Sequence, residues 1–349
     1  MNIVKNIKKN TIVLILITIL VLFIVLKDDL GDIIKIFQTI DTKFIIVAFV
    51  FFAVSLSLKG YVNYKIANNP EKFSLKEAIK HIWITQFFNG VTPFATGGQP
   101  MEVYMLTEHG FSLAKATNQT IQSFIFYQIA LVICGTIAVL YNLFFHIFPK
   151  VKLLQKLLLL GFIINIAVVI ILLLMSYSKS MMKRLSKIGL FIAKKMKIKT
   201  TKEDIENKME DYYNGFKELK KRKNLLVTGI VLNIASLLCL YMTPLWILYS
   251  MGNFNSLTAI NTITASAYVY VIGAFVPIPG ASGGIEYGFT QFFGNFIEKT
   301  QLSAVLLIWR FITYYLGIII GGILFNTDKK VKEWELVFLQ KPIPHISVV

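Results

Sequence analysis

Apolar residues run along this chain in long blocks separated by short polar or basic stretches. Blocks at Thr11–Leu26, Phe44–Tyr64, Ile121–Phe148, Leu153–Tyr177, Leu225–Tyr249 and Ser303–Phe325 approach or exceed the roughly 20 residues a helix needs to cross a bilayer. Two further apolar regions, Ala78–Leu106 and Leu257–Phe296, are interrupted by Pro and Gly. The pattern predicts an all-α polytopic membrane protein, a helical bundle with two inverted re-entrant or broken-helix hairpins. The first block follows the basic Met1–Asn10, lacks a small-residue cleavage site and ends at Lys27-Asp28-Asp29. It reads as an uncleaved span rather than a signal peptide.

Composition agrees. The 349 residues are 55% hydrophobic and 16% charged, with a mean hydropathy of +0.64; a soluble domain of this length carries more charge. The net charge is +17, and Tyr177–Asn224 holds 15 Lys/Arg against 6 Asp/Glu. In such a chain a basic block of this kind reads as a cytoplasmic loop facing anionic lipid, with no nucleic acid expected. Cys134 and Cys239 fall in apolar runs and read as small core residues. His81, His109, His146 and His345 show no ligand spacing, so neither a metal nor a cofactor is expected.

Basic residues orient the chain. Lys5, Lys8 and Lys9 place the N-terminus in the cytoplasm, the acidic loop Asp28–Asp41 outside, and Lys65, Lys72, Lys76 and Lys80 inside again. The block 177–224 and the tail with Lys329, Lys330 and Lys332 are also inside. Parity then requires 78–106 to start and end inside, as a re-entrant hairpin does, and 257–296 to start and end outside, as a second re-entrant hairpin or two tightly joined crossings; hairpins entering from each face would form an inverted repeat. The short Lys150–Lys156 cluster, left outside, runs against this bias. The expected organisation is a single integral membrane domain, 1–349. Its first half, 1–176, carries hairpin 78–106; a basic cytoplasmic linker spans 177–224; the second half, 225–349, carries hairpin 257–296. In the linker, Leu185, Ile188, Ile192 and Met196 recur at helical spacing among lysines, as for a helix lying on the membrane surface. Thr200-Thr201-Lys202-Glu203 has the form of a capping box opening a second helix, and both read as connectors under the bundle.

The interruptions carry one repeated motif. Pro93-Phe94-Ala95-Thr96-Gly97-Gly98 precedes Glu102, and Pro279-Gly280-Ala281-Ser282-Gly283-Gly284 precedes Glu286. Proline removes a backbone donor and blocks the preceding turn, and glycine permits shapes that other residues resist. Broken helices at membrane depth are tolerated where protein covers them or they line a wet cavity, and paired breaks in two halves point to a transport site. A half-helix N-terminus presents N–H groups suited to a phosphate or carboxylate. Asn89, Thr92, Thr96, Gln99 and Ser282 add neutral polar groups. The plainer alternative is a kinked helix whose glycines allow close packing.

Carboxylates are costly inside a membrane, so Glu102 and Glu286 should face a polar cavity or hold a proton. An interfacial helix start is the alternative, more so for Glu102. Arg310 lies too deep in its span to reach the interface easily, and is expected to face Glu286 or an anionic lipid headgroup. Lys59, Lys80 and His81 are lesser candidates; Trp309, Tyr314 and Tyr315 read alternatively as interfacial aromatics. No nucleophilic triad, zinc spacing, phosphate loop or dinucleotide fingerprint occurs.

With Asn89-Gly90-Val91-Thr92-Pro93, Gly97-Gly98-Gln99-Pro100 and Glu102, with Pro277-Ile278-Pro279-Gly280, Gly283-Gly284-Ile285-Glu286, and with Arg310 before Thr313-Tyr314-Tyr315, the chain resembles the lysylphosphatidylglycerol synthase transmembrane (flippase-like) family. The resemblance implies a membrane portion that moves aminoacylated phospholipid between leaflets. In two-domain members a separate cytosolic domain makes that lipid from aminoacyl-tRNA. The short stretch ending at Val349 leaves the expectation of the membrane portion alone. Where relatives often carry Glu-Arg and Asp, this chain reads Gln122-Ser123-Phe124-Ile125-Phe126-Tyr127-Gln128.

The expected function is a lipid translocase of the cell membrane, multi-pass, with both termini cytoplasmic and a membrane phospholipid as partner. A homo-oligomer and a separate synthase are left open as further partners. The expected substrate-binding set is Asn89, Thr92, Pro93, Gly97, Gly98, Gln99 and Glu102, then Pro279, Gly283, Gly284 and Glu286, with Arg310 and Tyr314; no catalytic residue is expected. Half-helix N-termini and Arg310 would hold a phosphate, and the two glutamates, converging on one chamber, a cationic headgroup or a proton. The alternatives are a phosphatidylglycerol lysyltransferase, as the family label for short members would have it, and a scaffold presenting the basic linker to a synthase. The residues of this chain do not support lysyl transfer in isolation.

Overall fold

In the computed structural model of the protein, residues 38–69, 71–148, 152–177, 219–274, 276 and 278–328 are described, with isolated positions between 178 and 218. The expected first span, the linker helices with their capping box, Pro277 and the basic tail lie outside the described residues.

Every described element is helical. Helix α1 (Thr42–Ala67) starts where the Asp41 carboxylate accepts the Lys43 N–H at 2.9 Å, and stops at Asn68 in the left-handed region, φ 48°. Helix α2 (Leu75–Gly90) opens with a reciprocal cap: Ser74 N–H donates to Glu77 Oε2 at 2.8 Å and Glu77 N–H donates to Ser74 Oγ at 3.3 Å. That Ser-x-x-Glu signal is in the sequence but is not among the expectations above. Then come α3 (Gly98–Glu108), α4 (Leu113–Phe145), α5 (Lys152–Tyr177), α6 (Lys223–Tyr241) and α7 (Thr243–Ser250), which Pro244 separates from α6. The second half continues with α8 (Ala259–Gly273), α9 (Gly284–Phe293), α10 (Lys299–Arg310), a π-helical turn at Phe311–Tyr315 and α11 (Leu316–Thr327). In the π turn the Leu316 N–H donates to Phe311 O, five residues back.

Among the described residues, Thr42–Ala67, Leu113–Phe145, Lys223–Ser250 and Lys299–Thr327 are long and apolar enough to cross a membrane. Their outward faces carry exposed Ile46, Ile137, Leu143, Val227, Val231, Ile319 and Ile323. A bundle with so apolar an outer surface is suited to hydrocarbon rather than water. Helix α1 packs against α6, α2 and α7, α4 against α6 and α8, and α11 against α2. Where α1 crosses α6, Ser55 and Ser236 join their hydroxyls at 2.9 Å, and Ser236 also donates to Ser55 O at 2.9 Å. Small residues with satisfied hydroxyls let two membrane helices approach closely.

Both motif regions fold as helix–turn–helix segments. Helices α2 and α3 pack on one another through a tip at Pro93–Ala95, and α8 and α9 do so through a tip at Pro279–Ala281. The first segment returns to where it began: Lys72 Nζ donates to Gly110 O at 3.2 Å, and the His109 ring meets Lys72 O at 3.0 Å. That base lies at the C-terminal end of α1, where Arg222 donates to Ile66 O and Lys65 O at 3.2 and 2.8 Å. The second segment is also antiparallel, with Tyr268 on Phe292 and Gly273 under Ile285. Its base lies at the other end of α1, where Asp41 N–H bonds Ser250 O at 2.8 Å and Asn253 donates to Gln301 at 2.8 Å. The two segments therefore enter the bundle from opposite ends of α1, and their tips touch. At 16 and 15 residues, α2 and α8 reach only about 24 and 22 Å, short of the ~30 Å hydrocarbon core.

Candidate functional site

The tips are copies of one backbone shape. Thr92 (φ −119°, ψ 144°) matches Ile278 (φ −111°, ψ 142°) as the residue before each tip proline. Phe94 (φ 53°) matches Gly280 (φ 64°), and Ala95 (φ 53°) matches Ala281 (φ 51°), all in the left-handed region. Such conformations cost a non-glycine residue about 1–3 kcal/mol each and persist only where surroundings enforce them. The copies diverge at the next residues: Thr96 stays helical (ψ −11°) while Ser282 is extended (ψ 141°), and Gly97 has φ −79° while Gly283 has φ 86°.

The divergence follows from which residue caps the second helix. In the second copy Glu286 reaches back, its Oε2 accepting the Gly283 N–H at 2.6 Å. The matching position in the first copy is Pro100, which cannot do so. There Thr92 Oγ1 accepts the Gly97 N–H at 2.9 Å and Asn89 Oδ1 accepts the Gly98 N–H at 2.9 Å. Sequence reasoning expected the N–H groups of both half-helices to be free for a ligand, with Asn89 and Thr92 as additional ligand groups. The structure instead uses three of these donors internally and makes Asn89 and Thr92 caps. A helix end away from water must satisfy its own donors, and these polar side chains are the nearest acceptors.

Behind the tips stands a buried ion pair. Arg310 and Glu286 are each 4% exposed. Arg310 Nε and Nη2 both reach Glu286 Oε1, at 2.6 and 2.5 Å, and Nη2 also donates to Gly280 O at 3.0 Å and Ser282 Oγ at 3.4 Å. Both carboxylate oxygens are thus engaged, one by the cation and one by the α9 cap. The π turn begins directly after Arg310, and such turns are frequent at functional sites. Tyr314 lies under the guanidinium, 4.8 Å from ring centroid to Cζ, and its hydroxyl donates to Gly90 O at 2.8 Å. Gly280 packs so closely on the Tyr314 ring that a Cβ there would overlap it. Tyr314 therefore ties the end of α2 to the tip of the second segment.

Glu102 stands apart. One turn into α3 rather than at its start, it accepts a hydrogen bond from Asn63 Nδ2 of α1. Asn63 O in turn accepts from Gln119 Nε2 at 3.2 Å, and Asn63 Oδ1 is buried without a partner. Counted from the glycine pair, Glu102 matches Gly288, not Glu286, and so it leaves α3 on a different face. The two glutamates therefore have separate partners, Asn63 and Arg310. Asn63 and the Gly280 and Gly90 carbonyls were not among the expected residues. Asn63 had a signal, an amide inside an apolar run; the carbonyls had none.

The remaining candidates are accounted for. Pro93, Thr96, Gln99 and Gly283 are exposed at the tips, with Gly98 buried and Gly97, Pro279 and Gly284 half-buried. Lys59 lies over the Tyr127 ring at 4.7 Å, so its charge rests on an aromatic face of α4. Lys80 pairs with Asp328 at 2.6 Å, and His81 stacks among Phe73 and His109. Trp309 is 2% exposed and stacked on Phe289 at 4.8 Å, and Tyr314 is buried; neither is an interfacial aromatic. Among the described residues no group of His, Cys, Asp or Glu could hold a metal.

Apolar spanning helices and mirrored helix–turn–helix segments define a polytopic α-helical membrane protein. Over residues 10–321 the chain matches the family described as the lysylphosphatidylglycerol synthase TM region, and it belongs to that family. It is 25% identical over 334 residues to UPF0104 membrane protein MJ1595 of Methanocaldococcus jannaschii, covering 91% of this chain and 94% of that protein. It is 23% identical over 283 residues to a UPF0104 membrane protein of Archaeoglobus fulgidus, covering 77% of this chain and 79% of that protein.

Proposed function

We propose that this protein is a lipid translocase of the cell membrane, with its two helix–turn–helix segments re-entrant from opposite faces. The observation that carries this reading is the buried Arg310–Glu286 pair, held behind two touching tips on which Pro93, Thr96, Gln99 and Gly283 are exposed. Burying an ion pair in a bundle contributes little net stability, so a functional reason for keeping one is favoured. A headgroup carrying both a phosphate and an ammonium, as an aminoacylated phosphatidylglycerol does, offers each partner a substitute. Its phosphate takes Arg310 bidentately and its ammonium takes the Glu286 carboxylate, so no charge is left bare while the lipid passes. Orientation with both termini in the cytoplasm follows from the basic ends of the chain.

The test is leaflet exchange of a fluorescent aminoacylated phosphatidylglycerol in proteoliposomes, read by quencher accessibility. Wild type accelerates exchange, and Arg310→Ala and Glu286→Ala each abolish it in folded protein. Normal exchange by both variants refutes the role of the pair, and no exchange by wild type refutes the activity.

A further inference from the structure

A second site lies at the end of the bundle where α2 starts and α3 finishes. A cavity of about 630 Å³ is bounded there by the C-terminal end of α1, the N-terminal end of α4 and the residues just before α6. That volume falls in the range of small-ligand sites, about 300–1,000 Å³. Three cations line it: Lys72, Lys115 and Arg222. No Asp or Glu does. Two of the cations are held by backbone carbonyls, Lys72 by Gly110 O, and Arg222 by Ile66 O and Lys65 O. Among the described residues none of the three is paired with a carboxylate. The wall behind them is mixed: the buried amides of Gln119 and Gln122, and the buried side chain of Leu219.

Three like charges around one hollow repel each other, and no carboxylate among these residues offsets them. An anion seated among them would do so, with charge-assisted hydrogen bonds from each. The N-terminal end of α4, capped by Ser112, adds its dipole in the same sense, since Ser112 and Lys115 both line the cavity. The Leu219 side suits the apolar part of a larger ligand. We infer that this cavity binds a phosphate ester, either the headgroup of an anionic phospholipid or a soluble phosphate. It is a site distinct from the Arg310–Glu286 pair, and it stands whether or not the protein moves lipid.

The full chain, purified in detergent, is titrated by native mass spectrometry with phosphatidylglycerol, with phosphatidylcholine and with glycerol phosphate. Phosphatidylglycerol is expected to be held at least about ten-fold more tightly than phosphatidylcholine by wild type. The variant Lys72→Ala/Lys115→Ala is expected to lose that preference. Lys43→Ala/Lys76→Ala, which removes two lysines outside the cavity, is expected to keep it. Both cavity lysines are exposed, and equal thermal unfolding of the two variants confirms that folding is intact. Displacement of phosphatidylglycerol by glycerol phosphate identifies the phosphate group alone as the ligand; retention identifies the lipid. Equal binding of the two phospholipids, or equal loss in both variants, overturns the proposal.

Discussion

Glu286→Gln isolates the charge of the buried pair while keeping its shape. The amide oxygen of the new side chain can still accept the Gly283 N–H, but the amide nitrogen is a donor where Arg310 needs an acceptor. Arg310 then retains only Gly280 O and Ser282 Oγ. Removing one partner of a buried pair typically costs about 3–5 kcal/mol, because the other charge is left uncompensated. Arg310→Met makes the opposite cut, leaving Glu286 with the Gly283 N–H alone, and should cost a similar amount. The double variant contains neither charge, so it should be more stable than either single variant, which requires a coupling larger than either single loss, above about 3 kcal/mol. Unfolding in mixed micelles can be followed by labelling the buried thiol of Cys134, which is 7% exposed, in a Cys239→Ser background. If the single losses simply add, within about 0.5 kcal/mol, the pair is not one coupled unit and the argument from charge compensation fails. If the double variant folds as wild type yet does not exchange lipid, the pair is kept for function rather than for stability.

Glu102→Gln should be close to neutral in the same assay, since the amide can accept from Asn63 Nδ2 and donate to the unpaired Asn63 Oδ1; Glu102→Ala should cost about 1–3 kcal/mol. Gly280→Ala should cost about 1–3 kcal/mol, because the added methyl overlaps the Tyr314 ring at a φ of 64°. Tyr314→Phe should cost about 1–3 kcal/mol by leaving Gly90 O without its donor, and should lower exchange by loosening the contact between the two segments. Lys80→Ala should change stability by no more than about 1 kcal/mol, because the lysine of its ion pair with Asp328 is 31% exposed; a larger loss would mean that the pair anchors α11 to α2.

The spanning helices and the two interrupted segments were legible because their signals are local: runs of apolar residues, and Pro and Gly where a helix must stop. The pairing of Arg310 with Glu286 was legible as well, since a deep cation and a deep carboxylate in one half of a bundle have few other partners. The roles of Asn89 and Thr92 were not. Whether a polar side chain serves a ligand or the backbone depends on where unpaired N–H groups end up, and only the closed tip, with Gly97 and Gly98 beside them, settles that. Glu102 misled for a related reason: its motif resembles that of Glu286, but an offset of two residues along a helix turns a side chain to a different face.

By itself the sequence determined the class of the protein, since apolar runs of about 20 residues satisfy their backbone groups in hydrocarbon by forming helices. It also marked where each interrupted region breaks, in the repeated Pro-x-Ala-x-Gly-Gly. Tertiary structure alone decided that the tips touch, that Tyr314 ties one to the other through Gly90 O, and that Asn63 rather than Arg310 holds Glu102. Those contacts join residues far apart in the chain, and the Gly90 carbonyl that receives Tyr314 is a group every residue carries and no sequence pattern marks.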